Sequence, residues 1–373
     1  MKILELTNFS AGGCGVWQRV KQESLLLSKN HDVKIFSSNF TKGSEKTASS
    51  KDKIGDIEIK RFPAKKLGGE SFSKWNFEKQ AIKFSPNIII AHSYRHLHTT
   101  KALKFVKKIN AKVFLVTHAP FARNKNRSFI QKLIVKSYDF FIGKNTINKF
   151  DKIIAITKWE IPYLLSLGCK KEKIVYIPNG IPKEFFIEKK QETEKKQILF
   201  MGRISKIKNL ETLISSLNLI KDKKINLKII GPAEKNYLRE LKLLIKKFNL
   251  GKKIDILDKP YDKEEQINEL DSSLIYVLPS ISEAMPQTLI EAMARKKIVI
   301  SSDNPGTKEI ITNGKNGYLF KIGDEKDLTK KIDLAFSKNQ NLIKRDAEKS
   351  VEKFKWEKII RKLEKLIKDS LAQ

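Results

Sequence analysis

The chain reads as an α/β protein of two parallel-sheet domains, and three features of its 373 residues point there. Short apolar runs alternate with amphipathic stretches almost throughout, the pattern of parallel strands joined by crossover helices. The length exceeds what one hydrophobic core usually serves, which favours two domains of about 150–200 residues each. A charged break at Glu188–Lys196 interrupts the alternation near its middle and reads as an interdomain linker.

In the first half the apolar runs predict strands at Lys2–Phe9, Asp32–Ser38, Ile57–Phe62, Asn87–His92, Lys112–His118, Lys152–Thr157 and Lys173–Pro178. Helices fit between them, at Ser73–Phe84, Leu97–Ile109 and Arg127–Phe141 among others. Beyond the linker, strands are expected at Gln197–Met201, Leu227–Gly231, Ile254–Leu257, Leu274–Pro279 and Ile298–Ser302. The tail, Phe354–Leu371, carries Trp356, Ile359, Ile360, Leu363, Leu366 and Ile367 at helical spacing, which makes a packing face.

Composition narrows the class. A 40% hydrophobic content supports globular packing, and no window nears 18 consecutive apolar residues, so no spanning helix is expected. Met1–Leu6 is too short for the apolar core of a signal peptide and contains Glu5. Cys14 and Cys169 lie far apart without metal-ligand spacing, which suits a reduced, cytoplasmic protein. The net charge of +33 comes from 65 Lys and only 10 Arg, spread along the whole length. Nucleic-acid readers concentrate charge and favour Arg for bidentate contacts, so no specific nucleic-acid partner is expected. An anionic membrane surface fits better, with Arg61–Lys79 and Phe121–Lys136 (Arg123, Lys125, Arg127, Lys132) as candidate segments. In the first of these, Lys65, Lys66, Lys74 and Lys79 interleave with Phe62, Phe72, Trp75 and Phe77.

The most informative stretch runs from Ser282 to Ala294, directly after the apolar strand Leu274–Pro279. Pro286 reads as the first helical residue, which puts Glu283 in the loop and Glu291 two turns into the helix. A helix start offers unpaired N–H groups and a partial positive charge to an anion. The carboxylates, in turn, accept hydrogen bonds from hydroxyls. Phosphate donors joined to hydroxyl acceptors suggest a nucleotide sugar.

Two more segments fit that ligand. Gly202-Arg203 ends a strand, and Lys208 stands five residues on at a helix start, so the two can clamp a diphosphate. Ala11-Gly12-Gly13-Cys14-Gly15 joins the first strand to a helix, where glycines let backbone approach a ligand. Gln18 occupies the third glycine position of a dinucleotide fingerprint, which argues against a nicotinamide site. Three of the five histidines cluster at His92, His96 and His98, a poor metal set without nearby acids. His92 and His118 both end strands and so can face a crevice.

These segments together resemble the retaining, nucleotide-sugar-dependent glycosyltransferases of family 4 (group 1), which have the GT-B fold. The likeness spans nearly the whole chain and is strongest from Gly202 to Glu309. It includes Pro178-Asn179-Gly180 and the loop Ser302–Glu309. Asn209 and Pro305 stand where glycine is usual, and Pro182 where an acid is usual.

The resemblance implies two Rossmann-like domains facing each other across a cleft. Residues 1–182 would form the acceptor-side domain and 183–352 the nucleotide-sugar domain. Residues 353–373 would form a helix crossing back to the first. Arg203 and Lys208 would neutralise the diphosphate, helped by N–H groups of Ala284, Met285, Pro286, Gln287 and Thr288 at the helix start (Pro286 having none of its own). Glu291 would hold the ribose hydroxyls and Glu283 the sugar hydroxyls. His118, with Gly12, Gly13 and Gly15, would complete the site. Retention at the anomeric carbon follows from the resemblance, with no cofactor and no required metal. A glycan or lipid-linked acceptor is expected at the cytoplasmic membrane face. Two alternatives share these features: a nucleotide-sugar epimerase of similar architecture, and a non-catalytic basic protein binding membrane or nucleic acid.

Overall fold

The computed structural model of the chain describes residues 1–121, 128–187, 195–222, 224–337 and 340–372. The chain packs as two units, Met1–Gly180 with Trp356–Gln373, and Ile181–Lys355. Each is a sheet with helices connecting its strands.

The first unit contains β1 (Lys2–Thr7), β2 (Asp32–Ser38), β3 (Lys51–Ile54), β4 (Ile57–Phe62), the short pair β5 (Ala64–Lys66) and β6 (Ser73–Trp75), β7 (Ile88–His92), β8 (Lys112–Val116), β9 (Lys152–Ala155) and β10 (Ile174–Tyr176). Its main sheet has the order β10-β9-β8-β7-β1-β2-β4-β3. All pairings are parallel except the β3–β4 hairpin. The central strands are buried throughout, as Ile88–His92 shows, so they read as continuous apolar runs rather than alternating ones. Beginning at β1, the chain winds first to one side and then to the other, which puts a topological switch point between β1 and β7.

The second unit contains β11 (Lys195–Met201), β12 (Asn226–Ile230), β13 (Ile254–Leu257), β14 (Ser273–Leu278), β15 (Ile298–Ser302) and β16 (Tyr318–Phe320), all parallel in the order β13-β12-β11-β14-β15-β16. Its switch point lies between β11 and β14. Residues 188–194 of the anticipated linker lie outside the described residues, and Lys195 and Lys196 begin β11.

Several expectations need correction. Ser73–Phe84 is not one helix. Ser73 and Trp75 point inward and Lys74 outward in β6, a two-residue period, and the helix begins only at Glu78. Phe62, Trp75 and Phe77 are buried, with Trp75 stacked on Phe62 and tilted against Phe77, so these three are core rather than a membrane edge, and Phe72 packs half-buried against them. The strand expected to reach His118 stops at Val116, because His118 and Ala119 are both left-handed (φ 58° and 47°). The helix expected at Arg127–Phe141 spans Phe129–Tyr138, capped by Ser128 and Gln131, and continues as a π-turn over Asp139–Gly143. Arg123, Lys125 and Arg127 lie outside the described residues.

The last helix, Trp356–Leu371, buries the apolar face read from its spacing. Trp356 lies flat on Gly180, where any Cβ would come within 2.3 Å of the indole. The Pro-Asn-Gly turn therefore needs glycine for this contact.

Candidate active site

In the second unit, the C-terminal ends of β11, β14 and β15 bring the motif residues together. Lys208 Nζ lies 2.6 Å from Glu283 Oε1, with side chains only 19% and 14% exposed. The clamp lysine and the loop acid, anticipated in separate roles, are partners. Asn209 explains why glycine is usual beside them: it is left-handed (φ 51°). Asparagine tolerates that conformation better than most residues, and its Nδ2 also donates to the Pro279 carbonyl oxygen at 3.3 Å. Ile281 N–H donates to Ile207 O at 2.9 Å, tying the two loops again.

Arg203 is exposed beyond the end of β11. The turn before it is fixed by Gly231, where a Cβ would sit 2.0 Å from Gly202 O. On the other side, Gly306 fits against the Glu283 and Ala284 carbonyls, at 2.4 and 2.6 Å from a would-be Cβ. Pro305 is therefore tolerated as the first residue of a short helix capped by Asn304, while Gly306 is the glycine that contact demands.

Pro286 sits one position earlier than expected, at the N-cap of the helix Gln287–Ala294, and no side chain caps that helix. Its first-turn N–H groups are thus left for an anion. Glu291 stands one turn into this helix, not two. Gln266 Nε2 donates to Glu291 Oε2 at 2.5 Å, and burial pushes the carboxyl up to about 7. Tyr276 OH pairs with Thr288 Oγ1 at 2.7 Å and with Met201 O at 3.1 Å, which locks the helix start to the end of β11. Met285 and Pro286 are buried, while Ala284, Gln287 and Thr288 are partly exposed.

In the first unit, a pocket of about 300 Å³ opens at the ends of β7 and β8, lined in part by His118, Arg95, His96, Ser93 and Tyr138. Ser93, Arg95, His118 and Ala119 all adopt positive φ here, the backbone strain that functional loops often hold. Arg95 forms a fork with Asp139, at 2.9 and 2.6 Å, so its charge is already matched.

His118, half-buried, ends a chain of buried groups that the sequence did not reveal. His118 Nε2 lies 3.0 Å from His92 Nδ1, and His92 Nε2 lies 2.7 Å from Glu5 Oε2. Behind them, Arg19 holds Glu23 at 2.9 Å and reaches the Ile177 carbonyl and Asn179 Oδ1, both at 3.1 Å. Burial pushes Glu5 up to about 8, offset in part by Arg19, and pushes His92 down to about 3. Glu5, Glu23 and His92 also bring possible ligand atoms within metal-binding reach. Arg19 already supplies the positive charge there, so the group reads as a hydrogen-bond network.

Of the glycine loop, only Gly12 is required by the fold. Its φ is 82° and a Cβ would meet Lys42 O at 2.2 Å, whereas Cβ atoms on Gly13 and Gly15 would meet nothing within 4 Å. Gly12→Ala is expected to cost more than about 1 kcal/mol, and Gly13→Ala and Gly15→Ala to leave thermal stability nearly unchanged. Loss of turnover in the latter two, with melting temperature intact, would identify a ligand passing over that backbone.

Two parallel sheets of this topology, each with a switch point at its strand C-terminal ends, are the Rossmann-like pair of the GT-B fold. Residues 15–185 match Glycosyltransferase Family 4 and residues 182–353 match Glycosyl transferases group 1, and the chain belongs to this family. It is 32% identical to an uncharacterized glycosyltransferase of Methanocaldococcus jannaschii over 65% of this chain and 66% of that one. It is 29% identical to the N,N'-diacetylbacillosaminyl-diphospho-undecaprenol alpha-1,3-N-acetylgalactosaminyltransferase of Campylobacter jejuni, over 57% of this chain and 56% of that one. The aligned segments thus span less than two thirds of either relative. The HepE protein of Anabaena, solved with UDP and glucose, superposes with a TM-score of 0.77 at 14% identity, covering 99% of this chain and 100% of that one.

Proposed function

We propose that the protein transfers a sugar from a nucleoside-diphosphate sugar to a glycan or lipid-linked acceptor, with retention at the anomeric carbon. The observation that carries this is the Lys208–Glu283 pair, in one unit with an uncapped helix start and with Glu291. Arg203, Lys208 and the helix N–H groups oppose charge growing on the departing diphosphate. Glu283 and Glu291 accept from hydroxyls of the sugar and ribose. On this reading Arg203, Lys208 and the helix start together take the place of a metal at the diphosphate. HepE, solved with UDP and glucose, supports the donor class, and the Campylobacter enzyme, named for a diphospho-undecaprenol-linked sugar, supports a lipid-linked acceptor.

The acceptor side is the pocket at His118. One of its walls is the helix Phe129–Tyr138, whose outer face exposes Phe129, Ile130 and Leu133 beside Lys132 and Lys136. That combination suits an anionic bilayer holding a lipid-linked acceptor. Among the described residues no helix is long and apolar enough to cross a membrane, so this contact would be peripheral.

Calorimetric titration with UDP, GDP and ADP tests the donor site. One nucleotide is expected to bind, and Arg203→Ala to weaken it at least tenfold. Binding of none would overturn the donor assignment and favour a non-catalytic basic protein. Free interconversion of the donor sugar without an acceptor would point to an epimerase instead.

A further inference from the structure

We propose that Glu5 and His92 set the hydrogen-bonding polarity of His118, so that His118 offers the pocket an N–H when Glu5 is protonated and a lone pair when Glu5 is ionised. The proposal rests on the acceptor-side reading only for what occupies the pocket, a sugar hydroxyl. The geometry of the relay stands apart from it.

The argument starts from the two contacts in series. Each neutral imidazole has one nitrogen that donates and one that accepts. With a proton on Glu5 Oε2, the carboxyl donates to His92 Nε2 across 2.7 Å. His92 Nδ1 must then carry hydrogen and donate to His118 Nε2 across 3.0 Å, leaving the hydrogen of His118 on Nδ1. Ionised Glu5 reverses every link. His92 Nε2–H donates to the carboxylate, His118 Nε2–H donates to His92 Nδ1, and His118 Nδ1 is left with a lone pair.

The proton count closes. Passing from the first state to the second, one proton leaves through His118 Nδ1. The Glu5 proton moves to His92 Nε2, and the His92 Nδ1 proton moves to His118 Nε2. Both rings stay neutral in either state, as burial requires: it holds His92 at about 3 and His118 well below its ordinary value. Of the three linked groups only Glu5 changes charge; its carboxyl, raised by burial to about 8, does so within an accessible pH range, and Glu23 beside it, also raised by burial, is coupled to that titration.

The surroundings hold the device in place. Arg19 and Glu23, from the helix Gly15–Leu27, face Glu5 and His92, and Arg19 favours the anion on Glu23 and on Glu5. His98 Nε2 lies 2.9 Å from the His92 carbonyl oxygen, and His96 adds a weak influence on His118. From below, Glu160 accepts from Thr117 Oγ1 at 2.7 Å and from Ile156 N–H at 2.7 Å, and it also takes the Ala119 N–H. It thereby pins the left-handed turn that carries the His118 ring. Glu5, His92 and Glu160 are positioning residues, and His118 is the one that meets the ligand.

The test is long-range proton–nitrogen correlation of the histidine rings in the ¹⁵N-labelled full chain, from pH 6 to 9.5. The five histidines give few signals, and His118→Gln assigns the one in question. His118 Nδ1 is expected to shift from an N–H type to a lone-pair type nitrogen through the Glu5 titration, without either ring becoming doubly protonated. In Glu5→Gln that pH dependence is expected to vanish. A His118 pattern constant across the range in the unmodified chain overturns the proposal, and so does an unchanged titration in Glu5→Gln. The unmodified chain decides the matter alone if Glu5→Gln folds poorly. No donor or acceptor enters the measurement, so its failure is separate from failure of the transferase reading.

Discussion

Lys208→Ala is expected to lower turnover by about 10²- to 10³-fold, the usual cost of removing one preorganised group that stabilises developing charge. Two losses combine in this variant. The diphosphate loses a cation, and Glu283, 2.6 Å away and mostly shielded, loses its partner. Glu283→Gln keeps a hydrogen-bonding side chain and removes only charge, so turnover is expected to fall less and stay measurable. Release of nucleoside diphosphate from the donor that calorimetry identifies provides the rate. A double-mutant cycle across Lys208 and Glu283 should give a coupling of about 0.5–3 kcal/mol, the range for groups in direct contact. Turnover within threefold of the unmodified chain after Lys208→Ala would make the pair structural and leave Arg203 as the only clamp residue.

Replacing Phe129, Phe140 and Phe141 together by serine is expected to weaken binding to anionic vesicles by about 100-fold. The three rings are 81%, 60% and 68% exposed, an unusual grouping on one helix and the turn after it. Seating each partway into a bilayer gains about 1 kcal/mol, below the 1.5–3 kcal/mol of full burial. Lys132, Lys136 and Lys144 stand exposed on the same segment, each worth about 1 kcal/mol near an anionic surface. Vesicles of phosphatidylglycerol and phosphatidylcholine, compared by cosedimentation at low and high salt, separate the two contributions. Binding that ignores both the rings and the anionic lipid would assign this face to a protein partner or a second copy. Nucleotide binding should not change in the triple variant, which marks the effect as local.

Much of the fold was open to reading because buried parallel strands are written as continuous apolar runs. Five strands of the second unit follow from such runs, including the full extent of β13 and β15. β16 has three residues and β5 and β6 three each, too short to carry a period. The two motifs of the second unit were legible as segments because each is consecutive, Gly202 to Asn209 and Ser282 to Glu291. Their pairing was not, since the Lys208–Glu283 contact spans 75 positions. Glu5 is the sharper case. A carboxyl in mid-strand signals a buried partner, but His92 comes to it only through the parallel pairing of β1 with β7, 87 positions away. Of the segments read for a membrane surface, Phe62, Trp75 and Phe77 serve the core instead, a burial that comes from pairings between strands and leaves no local period to read.

The place of Trp356 has a consequence for how the molecule comes off the ribosome. The first unit is closed by the helix Trp356–Leu371, yet 175 residues of the second unit are synthesised between Gly180 and that helix. Ile181–Lys355 is continuous and can reach its final form while the tail is still in the exit tunnel. Residues 1–180 must wait with the seat of the indole at Gly180 empty and apolar surface uncovered. The part made first is therefore the last to be finished, and its period of exposure is set by the speed of translation.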